Sequence, residues 1–515
     1  MEKHSFCRSR GADGFTGLVN FACDALTGTE KPGLERVADP KLEMLVEGGK
    51  WKGVWSQNYF GMFNCTPVLD GRLLAYHERS LAVFFELQGD GRRADPCGFV
   101  APRGALPEYV SLADGIFPKY KNDESSGLAG EFDFWVEGSA ASVLMYADLL
   151  LSLRDREKAI RALPGIECTL DWLLSRRDKN TGLLRVGPAG TLIERAYGAT
   201  RRTDGTAEYG LPAGTAVNTV AALLKAAELE QFAGRGEAAE RYRDAAGNLR
   251  SALKQLIEKE EFFINFLDAD GIRHGVPGAG KHAYFECNPN IDAAAWSVAD
   301  AALSGKILDK ISSKEISPYG LAACVWPRHD DSHPSYQRND PAYGGDGSHW
   351  NGAAWFSSQA RLVYAYLKNS RFDAAFTIGE RMRDIYRSGT MRDMMYGYGR
   401  DPAGSFNPEA QGAFYVDGFA VFGALLRGLF EVEYTAEALV LRPHLPPETE
   451  NYVQQMPFRW GRYRIFPEPH GTGTRAVSVK VNGVSCSGCR CDDGAAVLSG
   501  EFAENELKVE IQTEP

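Results

Sequence analysis

Four stretches of the sequence place carboxylates among aromatic residues, and three of the four also contain glycines. They are residues 131–137 (EFDFWVE), 202–209 (RTDGTAEY), 346–352 (DGSHWNG) and 407–417 (NPEAQGAFYVD). Sugars present apolar ring faces that stack on Trp and Tyr, and hydroxyls that bind Asp, Glu, Asn, Gln, Arg and His. Cleavage of a glycosidic bond needs one carboxylic acid to protonate the leaving oxygen and a second carboxylate to activate water or attack the sugar. These stretches therefore favour carbohydrate chemistry.

Asp204 and Glu409 are the carboxylates that we predict to form such a pair, with Asp204 as the acid and Glu409 as the base. Each also has a structural interpretation. Asp204 with Glu208 fits a cap for the helix that begins near Gly214, and Glu409 fits a turn before the last helix. An inverting pair predicts carboxyls roughly 6.5–9.5 Å apart. The acid must stay protonated, which apolar surroundings and the neighbouring Glu208 would favour.

Further side chains are predicted to stack on the sugar or to hold its hydroxyls. They are Trp135, Glu208, Trp326, Arg328, Asp346, His349, Trp350, Asn351 and Tyr415. Trp350 and Trp355 equally fit core packing at a helix start, and Asp133 and Glu137 equally fit the acidic preference of a first helical turn. No metal-ligand spacing stands out, so we expect neither a metal nor a cofactor.

Composition excludes two classes of partner. The chain has 57 Lys and Arg against 68 Asp and Glu, and its net charge of −11 disfavours binding to nucleic acids and anionic membranes. No window approaches the roughly 20 apolar residues of a membrane span, and the first residues do not resemble a secretory signal, so we expect a cytoplasmic protein. Most of the 10 cysteines are expected to be reduced and buried. The C-x-x-C element of Cys486 and Cys489 fits a hairpin turn better than a structural zinc site.

Long amphipathic segments in adjacent pairs must position these loops. The clearest pairs are 137–153 with 155–177, 214–233 with 236–258, and 349–368 with 370–387. Weaker helical segments are 73–88, 289–304 with 305–313, and 412–430. Short connections are typical of antiparallel helical hairpins, so ten or eleven helices are predicted, close to the twelve of an (α/α)6 barrel. The long aromatic loops would then form a pocket at one end.

The C-terminal part changes from helical to strand patterns at about residue 436. Apolar runs at 439–443, 476–483 and 507–511 predict strands, and Asn482-Gly483 predicts a two-residue hairpin turn. We therefore expect three parts in the chain. They are a segment at 1–60 with short strands that leads into the barrel, a catalytic barrel at 61–433, and a β-sandwich-like domain at 434–515.

From about residue 130 to 445, the order of the motifs resembles that of the six-hairpin glycosidases. This (α/α)6 group includes glycoside hydrolase families 63 and 78 and the disaccharide phosphorylases. The similar pieces are 170–184 (LDWLLSRRDKNTGLL), 203–205 with 217–218 and 226–229, and 349–355 with 405–409 and 439–446. The resemblance implies a mainly α protein, an (α/α)6 barrel followed by a small C-terminal antiparallel β domain. It also implies an exo-acting hydrolase of a terminal α-glucoside, α-mannoside or α-rhamnoside.

The chain departs from these families at the carboxylates. Gly404 stands where family 63 has its base, and the upstream base of family 78 would correspond to Asp393. Residues 123–131 (DESSGLAGE) are similar to the acid segment of family 78 and would make Glu124 the acid. The poor match at the base also leaves open a phosphorylase of the same fold. A noncatalytic carbohydrate-binding barrel, or an epimerase or isomerase that uses histidines, is a further alternative.

Overall fold

The computed structural model describes most of the chain. It covers residues 7–10, 13–28, 33–48, 52–113, 115–121, 133–187, 209–276, 283–317, 320–327, 352–389, 391, 394–395, 414–446, 449–471 and 473–514. Within these ranges the protein is mainly helical, with twelve α-helices. They are α1 Asp13–Thr27, α2 Ser56–Tyr59, α3 Gly71–Glu86, α4 Val136–Leu153, α5 Arg156–Ser175, α6 Ala213–Phe232, α7 Gly236–Leu253, α8 Cys287–Ala295, α9 Ala301–Ile311, α10 Phe356–Lys368, α11 Phe372–Arg387 and α12 Val416–Gly428.

Short strands accompany the helices, and longer strands follow them. The short strands are β1 Cys7–Arg10, β2 Ala38–Asp39, β3 Met44–Leu45, β4 Gly53–Trp55, β5 Tyr109–Ser111, β6 Phe117–Lys119, β7 Leu211–Pro212, β8 Ile257–Glu258, β9 Phe262–Phe263, β10 Phe266–Leu267, β11 Arg273–His274, β12 Phe285–Glu286, β13 Val325–Trp326, β14 Ala354–Trp355 and β15 Met394–Met395. The C-terminal strands are β16 Glu433–Tyr434, β17 Ala438–Leu441, β18 Glu450–Gln454, β19 Phe458–Trp460, β20 Tyr463–His470, β21 Arg475–Val481, β22 Cys489–Asp492, β23 Ala495–Ser499 and β24 Glu506–Glu514.

The helices fall into a buried inner set and an outer set. In α12 every residue is buried, whereas α7 buries a stripe at Ala239, Tyr242, Ala246 and Leu249, spaced three and four residues apart. Small residues bring the inner helices close together. A Cβ on Gly423 of α12, for example, would lie 2.5 Å from the Sγ of Cys65.

Each inner helix packs against an outer helix, and the inner helices follow one another side by side. The pairs are α4 with α5, α6 with α7, α8 with α9, α10 with α11, and α12 with α1. Among the inner helices, α4 contacts α6, α6 contacts α8, α8 contacts α10, and α10 contacts α12. The 3₁₀ helix Phe60–Cys65, which continues α2, packs against both α12 and α4.

The predicted helical pairs are confirmed, with three differences. The segment 289–304 is not one helix, because α8 ends at Ala295, Ser297 adopts a left-handed φ of 54°, and Asp300 caps α9. Residues 354–355 form β14, so α10 begins only at Phe356. Helix α1 was not predicted, because Gly14, Gly17 and several β-branched residues lower the local helix propensity, and packing against α11 and α12 supplies the stability instead.

Helix α4 is the described helix whose length and mean hydropathy match a membrane span. Of the window that meets this test, 89% is buried inside the protein. Its apolar character is therefore accounted for by its central position in the core.

Eight of the nine C-terminal strands form two four-stranded sheets, in the orders β16-β17-β23-β22 and β19-β20-β24-β21. The ninth strand, β18, pairs with β1 in an antiparallel arrangement. All three predicted strands are present, as β17, β21 and β24. The two-residue turn is also confirmed, since Asn482 and Gly483 both have positive φ, 51° and 79°. Most pairs are antiparallel, but β20 and β24, which β21 to β23 separate in the chain, pair in parallel. The C-x-x-C element forms a disulfide between Cys486 and Cys489.

A buried ion network lies toward the carboxyl ends of the inner helices. Asp148 of α4 accepts hydrogen bonds of 2.7 and 3.0 Å from Arg427 of α12, and Lys225 of α6 lies 3.4 Å away. Burial alone would raise the pKa of Asp148, but the two cations outweigh it and lower that pKa. Nearby, Glu431 contacts Lys368 at 2.8 Å and His444 at 2.9 Å. This network connects the inner helices to the residues that flank β16 and β17.

We predict that Arg427→Met lowers the free energy of unfolding by about 3 kcal/mol, because Asp148 then keeps only Lys225 as a buried counterion. Urea unfolding measures this effect. Arg161→Met is the matched control, since Arg161 is exposed and pairs with Glu157 across one helical turn. It should change stability by less than about 0.5 kcal/mol. Equal effects of the two variants would contradict the prediction.

We also predict that Glu431 makes the protein sensitive to acid. Burial would raise its pKa, but the hydrogen bond from His444 and the charge of Lys368 lower the pKa to about 2. A lowered folded-state pKa gives stability that is present above the unfolded pKa and is lost as the pH falls toward about 2. Melting temperatures from about pH 7 to 3 should therefore fall more steeply for wild type than for Glu431→Gln. Parallel curves would refute this role of Glu431.

Candidate active site

An extended residue precedes α2 and four of the inner helices, α6, α8, α10 and α12. The residues are Trp55, Pro212, Glu286, Trp355 and Tyr415, with ψ between 122° and 146°. This change from strand to helix sets the polar side chains of the first helical turns against those of the neighbouring helices. The contacts described below place the starts of α4, α6, α8 and α10 at one end of the molecule.

Asn218 of α6 joins three inner helices. Its Nδ2 donates hydrogen bonds of 3.0 Å to Oε1 of Glu137 in α4 and 3.0 Å to Oδ2 of Asp292 in α8. Its Oδ1 accepts a 3.2 Å bond from the indole N–H of Trp296, which is only a donor. The orientation of the amide is therefore fixed, with its NH2 group between two carboxyls.

Arg361 of α10 continues this network. Its Nε donates to Asp292 at 2.6 Å, and its Nη2 donates to Oδ1 of Asn288 at 2.9 Å. Asn288 in turn donates through Nδ2 to Oε1 of Glu286 at 3.0 Å. The continuous path Glu137–Asn218–Asp292–Arg361–Asn288–Glu286 is called the inner-helix network below. Its six side chains are all at most 4% exposed.

The inner-helix network has three carboxyls and one cation. Burial raises the pKa of Asp292, although Arg361 opposes this shift through direct contact. Burial also raises the pKa of Glu286 well above its usual range, and the negative charges of Glu137 and Asp292 add to the effect. The arrangement can therefore keep one carboxylic acid protonated at neutral pH, as acid catalysis or hydrogen-bond donation to a ligand requires.

More buried polar residues lie beside the starts of α2 and α12. Glu47 accepts a hydrogen bond from Asn58 of α2, and the backbone N–H of Val416 donates to the carbonyl of Glu47 at 2.9 Å. Asp417, the second residue of α12, is fully buried. Within the described residues, no group of three or more His, Cys, Asp or Glu side chains is arranged to hold a metal ion.

Three of the residues predicted to bind substrate are described. Trp135 is buried, and its indole N–H donates to Oγ of Ser56. Trp326 is partly exposed on β13, next to Val325, which pairs with Glu286. Tyr415 is 5% exposed and immediately precedes α12.

Two further residues that the sequence analysis considered, Trp355 and Asp133, are described by the structure. Trp355 is buried in the core, which matches its structural interpretation. Asp133 lies before α4 rather than in its first turn, and Arg176 and the backbone N–H of Gly187 hold it. The remaining candidates lie outside the described residues. They are Asp204, Glu409, Glu208, Arg328, Asp346, His349, Trp350, Asn351, Glu124 and Asp393.

Sequence reasoning missed Glu286, Asp292 and Arg361. The segment 285–292 (FECNPNID) lacks the glycines that marked three of the four candidate stretches, and Arg361 stands in a helix (FSSQARLVYAYLK) whose pattern fits ordinary core packing. A signal was present nonetheless. Asp292 is the one charged residue of its helix, and Arg361 shares its helix only with the terminal Lys368. An isolated charge in a helix that packs into the core needs a buried partner.

The fold is similar to that of several solved structures. A sialidase matches with a TM-score of 0.53 and 13% identity, over 87% of this chain and 37% of that one. A family 78 rhamnosidase of Bacillus sp. GL1 matches with a TM-score of 0.53 and 14% identity, over 90% of this chain and 42% of that one. A family 63 mannosylglycerate hydrolase from Thermus thermophilus, in complex with Tris, matches with a TM-score of 0.50 and 13% identity, over 79% of this chain and 99% of that one.

These similarities concern the fold, because the identities are low. The chain spans about two fifths of the length of the sialidase and of the rhamnosidase. No protein-family model and no curated protein matches the sequence.

We predict that Asn218→Asp destabilises the protein by about 3 kcal/mol near pH 8, because the new carboxyl would face Glu137 and Asp292. These two neighbours raise the pKa of the new group, so it binds a proton as the pH falls and can then donate one hydrogen bond. The loss of stability should therefore shrink toward about pH 5. Thermal unfolding tests this, with Asn248→Asp on the exposed face of α7 as the control. A loss that is independent of pH would contradict it.

Proposed function

We propose that the protein is an exo-acting glycoside hydrolase whose pocket lies at the starts of the inner helices. The observation that carries this proposal is the inner-helix network, which gathers three carboxyls, two carboxamides and one arginine from four helices. These groups match the hydroxyls of a sugar. The stretches that contain the predicted acid and base precede α6 and α12 in the sequence, the same helix ends at which such groups gather.

We further infer that the inner helices close into an (α/α)6 ring. The order of the helix contacts supports this inference. The inner helices from α4 to α12 contact one another in turn, and the 3₁₀ helix after α2 contacts both α12 and α4, the last and the first of them. Solved structures named as a rhamnosidase and a mannosylglycerate hydrolase have a similar fold, which favours a glycosidase over an unrelated enzyme class. The proposed substrate is a terminal α-glucoside, α-mannoside or α-rhamnoside, and the proposed location is the cytoplasm.

The proposed reaction is an inverting hydrolysis. Asp204 would protonate the glycosidic oxygen as its bond to the anomeric carbon breaks, and the bonding electron pair would remain on that oxygen. Glu409 would take a proton from the water that attacks the opposite face of the sugar. Buried carboxyls such as Glu286, whose pKa burial raises, indicate an environment that favours a protonated acid.

A second assignment of the pair, with Glu124 as the acid and Asp393 as the base, follows from the similarity of the sequence to family 78. Asp393 directly precedes Met394, which pairs with Trp355 at the start of α10. The experiment therefore has to include both pairs of carboxylates.

The substrates to be tested are four nitrophenyl glycosides, namely the α-glucoside, α-mannoside, α-rhamnoside and β-glucoside. We predict that the protein releases nitrophenol from one of them in the absence of phosphate. Asp204→Asn and Glu409→Gln should each lower kcat by roughly a hundredfold or more, because each removes one proton transfer. Glu157→Gln is the control, since that carboxylate is 87% exposed, and it should retain full activity. If Glu124→Gln and Asp393→Asn abolish activity instead, the second pair is the catalytic one.

The same panel separates the alternatives to hydrolysis. Cleavage that requires phosphate would identify a phosphorylase, in which phosphate replaces water. Sugar binding without any turnover would identify a noncatalytic carbohydrate-binding protein. Either result would overturn the proposed hydrolysis.

A further inference from the structure

We propose that Glu286 is a substrate-binding residue whose Oε2 donates a hydrogen bond to a hydroxyl of a neutral sugar. This inference rests on the proposed function and adds a residue to it that the sequence did not indicate. The inner-helix network acts as the support that holds Glu286 in place.

The position of Glu286 leaves one oxygen for a ligand. Its backbone pairs with Val325 in β12–β13, and its Oε1 accepts two 3.0 Å hydrogen bonds from Asn288, one from the backbone N–H and one from Nδ2. Oε1 therefore caps α8 and fixes the carboxyl plane. Across the described part of the chain, Oε2 makes no hydrogen bond, although the residue is only 4% exposed.

The surroundings of Glu286 favour the neutral form of its carboxyl. The titratable groups that face it from the packed elements are Tyr284 and Cys287 beside it, Glu137 of α4, Asp292 of α8, and Cys324 before β13. None of these groups is a cation. Arg361, the cation of the inner-helix network, donates its hydrogen bonds to Asp292, to Asn288 and to the carbonyl of Ser357 rather than to Glu286.

The proton of this neutral carboxyl belongs on Oε2. Oε1 already accepts two N–H donors and has no room for a hydrogen of its own. An O–H group on Oε2 is a donor, and the oxygen of a sugar hydroxyl is a suitable acceptor. An unmet donor in such a buried place is costly, so a ligand oxygen that accepts this bond gains affinity.

Positioning of the carboxyl depends on the rest of the inner-helix network. Asn288 can direct its NH2 group toward Glu286 because its Oδ1 is occupied by Arg361 at 2.9 Å and by Oγ of Ser358 at 2.5 Å. Arg361 is oriented in turn by Asp292. A change at Arg361 would therefore act on the sugar through Asn288 and Glu286, without direct contact.

The test measures kcat/KM for the nitrophenyl glycoside that wild type cleaves, from about pH 5 to 10, for Glu286→Gln and Glu286→Ala. Glucose, mannose and rhamnose are titrated in parallel by calorimetry, so that binding is read without turnover. The control is Glu230→Gln. Glu230 is also buried and has a pKa raised to about 7 by burial, but it lies in the last turn of α6, away from the network.

We expect Glu286→Ala to weaken kcat/KM and sugar affinity by roughly ten- to a hundredfold, because one buried hydrogen bond is lost. Glu286→Gln should weaken them only about threefold, because its Nε2 still donates. Sugar binding by wild type should weaken as the pH rises through the raised pKa of Glu286, and this decline should be absent in Glu286→Gln. Glu230→Gln should match wild type.

Two results would overturn the proposal while leaving the hydrolase assignment intact. One is a Glu286→Ala variant that cleaves and binds as well as the control does. The other is a Glu286→Gln variant that is impaired as severely as Glu286→Ala and keeps the pH dependence of wild type. If the alanine variant does not fold, the pH profile of Glu286→Gln decides. A wild type that neither cleaves the glycosides nor binds the sugars would overturn both proposals.

Discussion

The first turns of the inner helices are buried on all sides, so their polar side chains have no water to bind and must bind one another. This constraint determines the arrangement of α4, α6, α8 and α10. Asn218 can satisfy its amide only if Glu137, Asp292 and Trp296 come to it from two other helices. Because an unpaired buried polar group costs about 1–3 kcal/mol, the register of the inner helices is set largely by these contacts.

The buried carboxyls at the two ends of the inner helices have opposite pKa shifts. Toward the carboxyl ends, Asp148 contacts two cations, and Glu431 contacts cations and a histidine. These contacts lower the pKa of both carboxyls. At the starts, carboxyls outnumber the one arginine of the network, and the pKa of Glu286 is raised. Helix dipoles favour acids at helix starts, but only partly compensate them. The carboxyls with lowered pKa values and those with raised pKa values thus lie at different ends of the same helices.

The sequence predicted those features that depend on local patterns. The paired helices, the strands at 438–441 and 475–481, and the Asn482-Gly483 turn all follow from periodicity and turn chemistry. Helix α1 was missed because its stability comes from packing against α11 and α12. Glu286 was missed because its properties depend on Glu137 and Asp292, which are far from it in the sequence or become its neighbours only after folding. The predicted pair Asp204 and Glu409 stays a prediction.

The donors of the inner-helix network also make it rigid. Trp296 and Arg361 can only donate hydrogen bonds, so they fix the orientation of the Asn218 and Asn288 amides, and neither amide can flip without losing bonds on both sides. The dipoles of both amides are therefore oriented before any ligand arrives. In a glycosidase, groups that are already oriented do not have to reorganise as charge develops on the sugar, which is a principal source of electrostatic catalysis. The same contacts that allow the inner helices to pack thus also preorganise the candidate site.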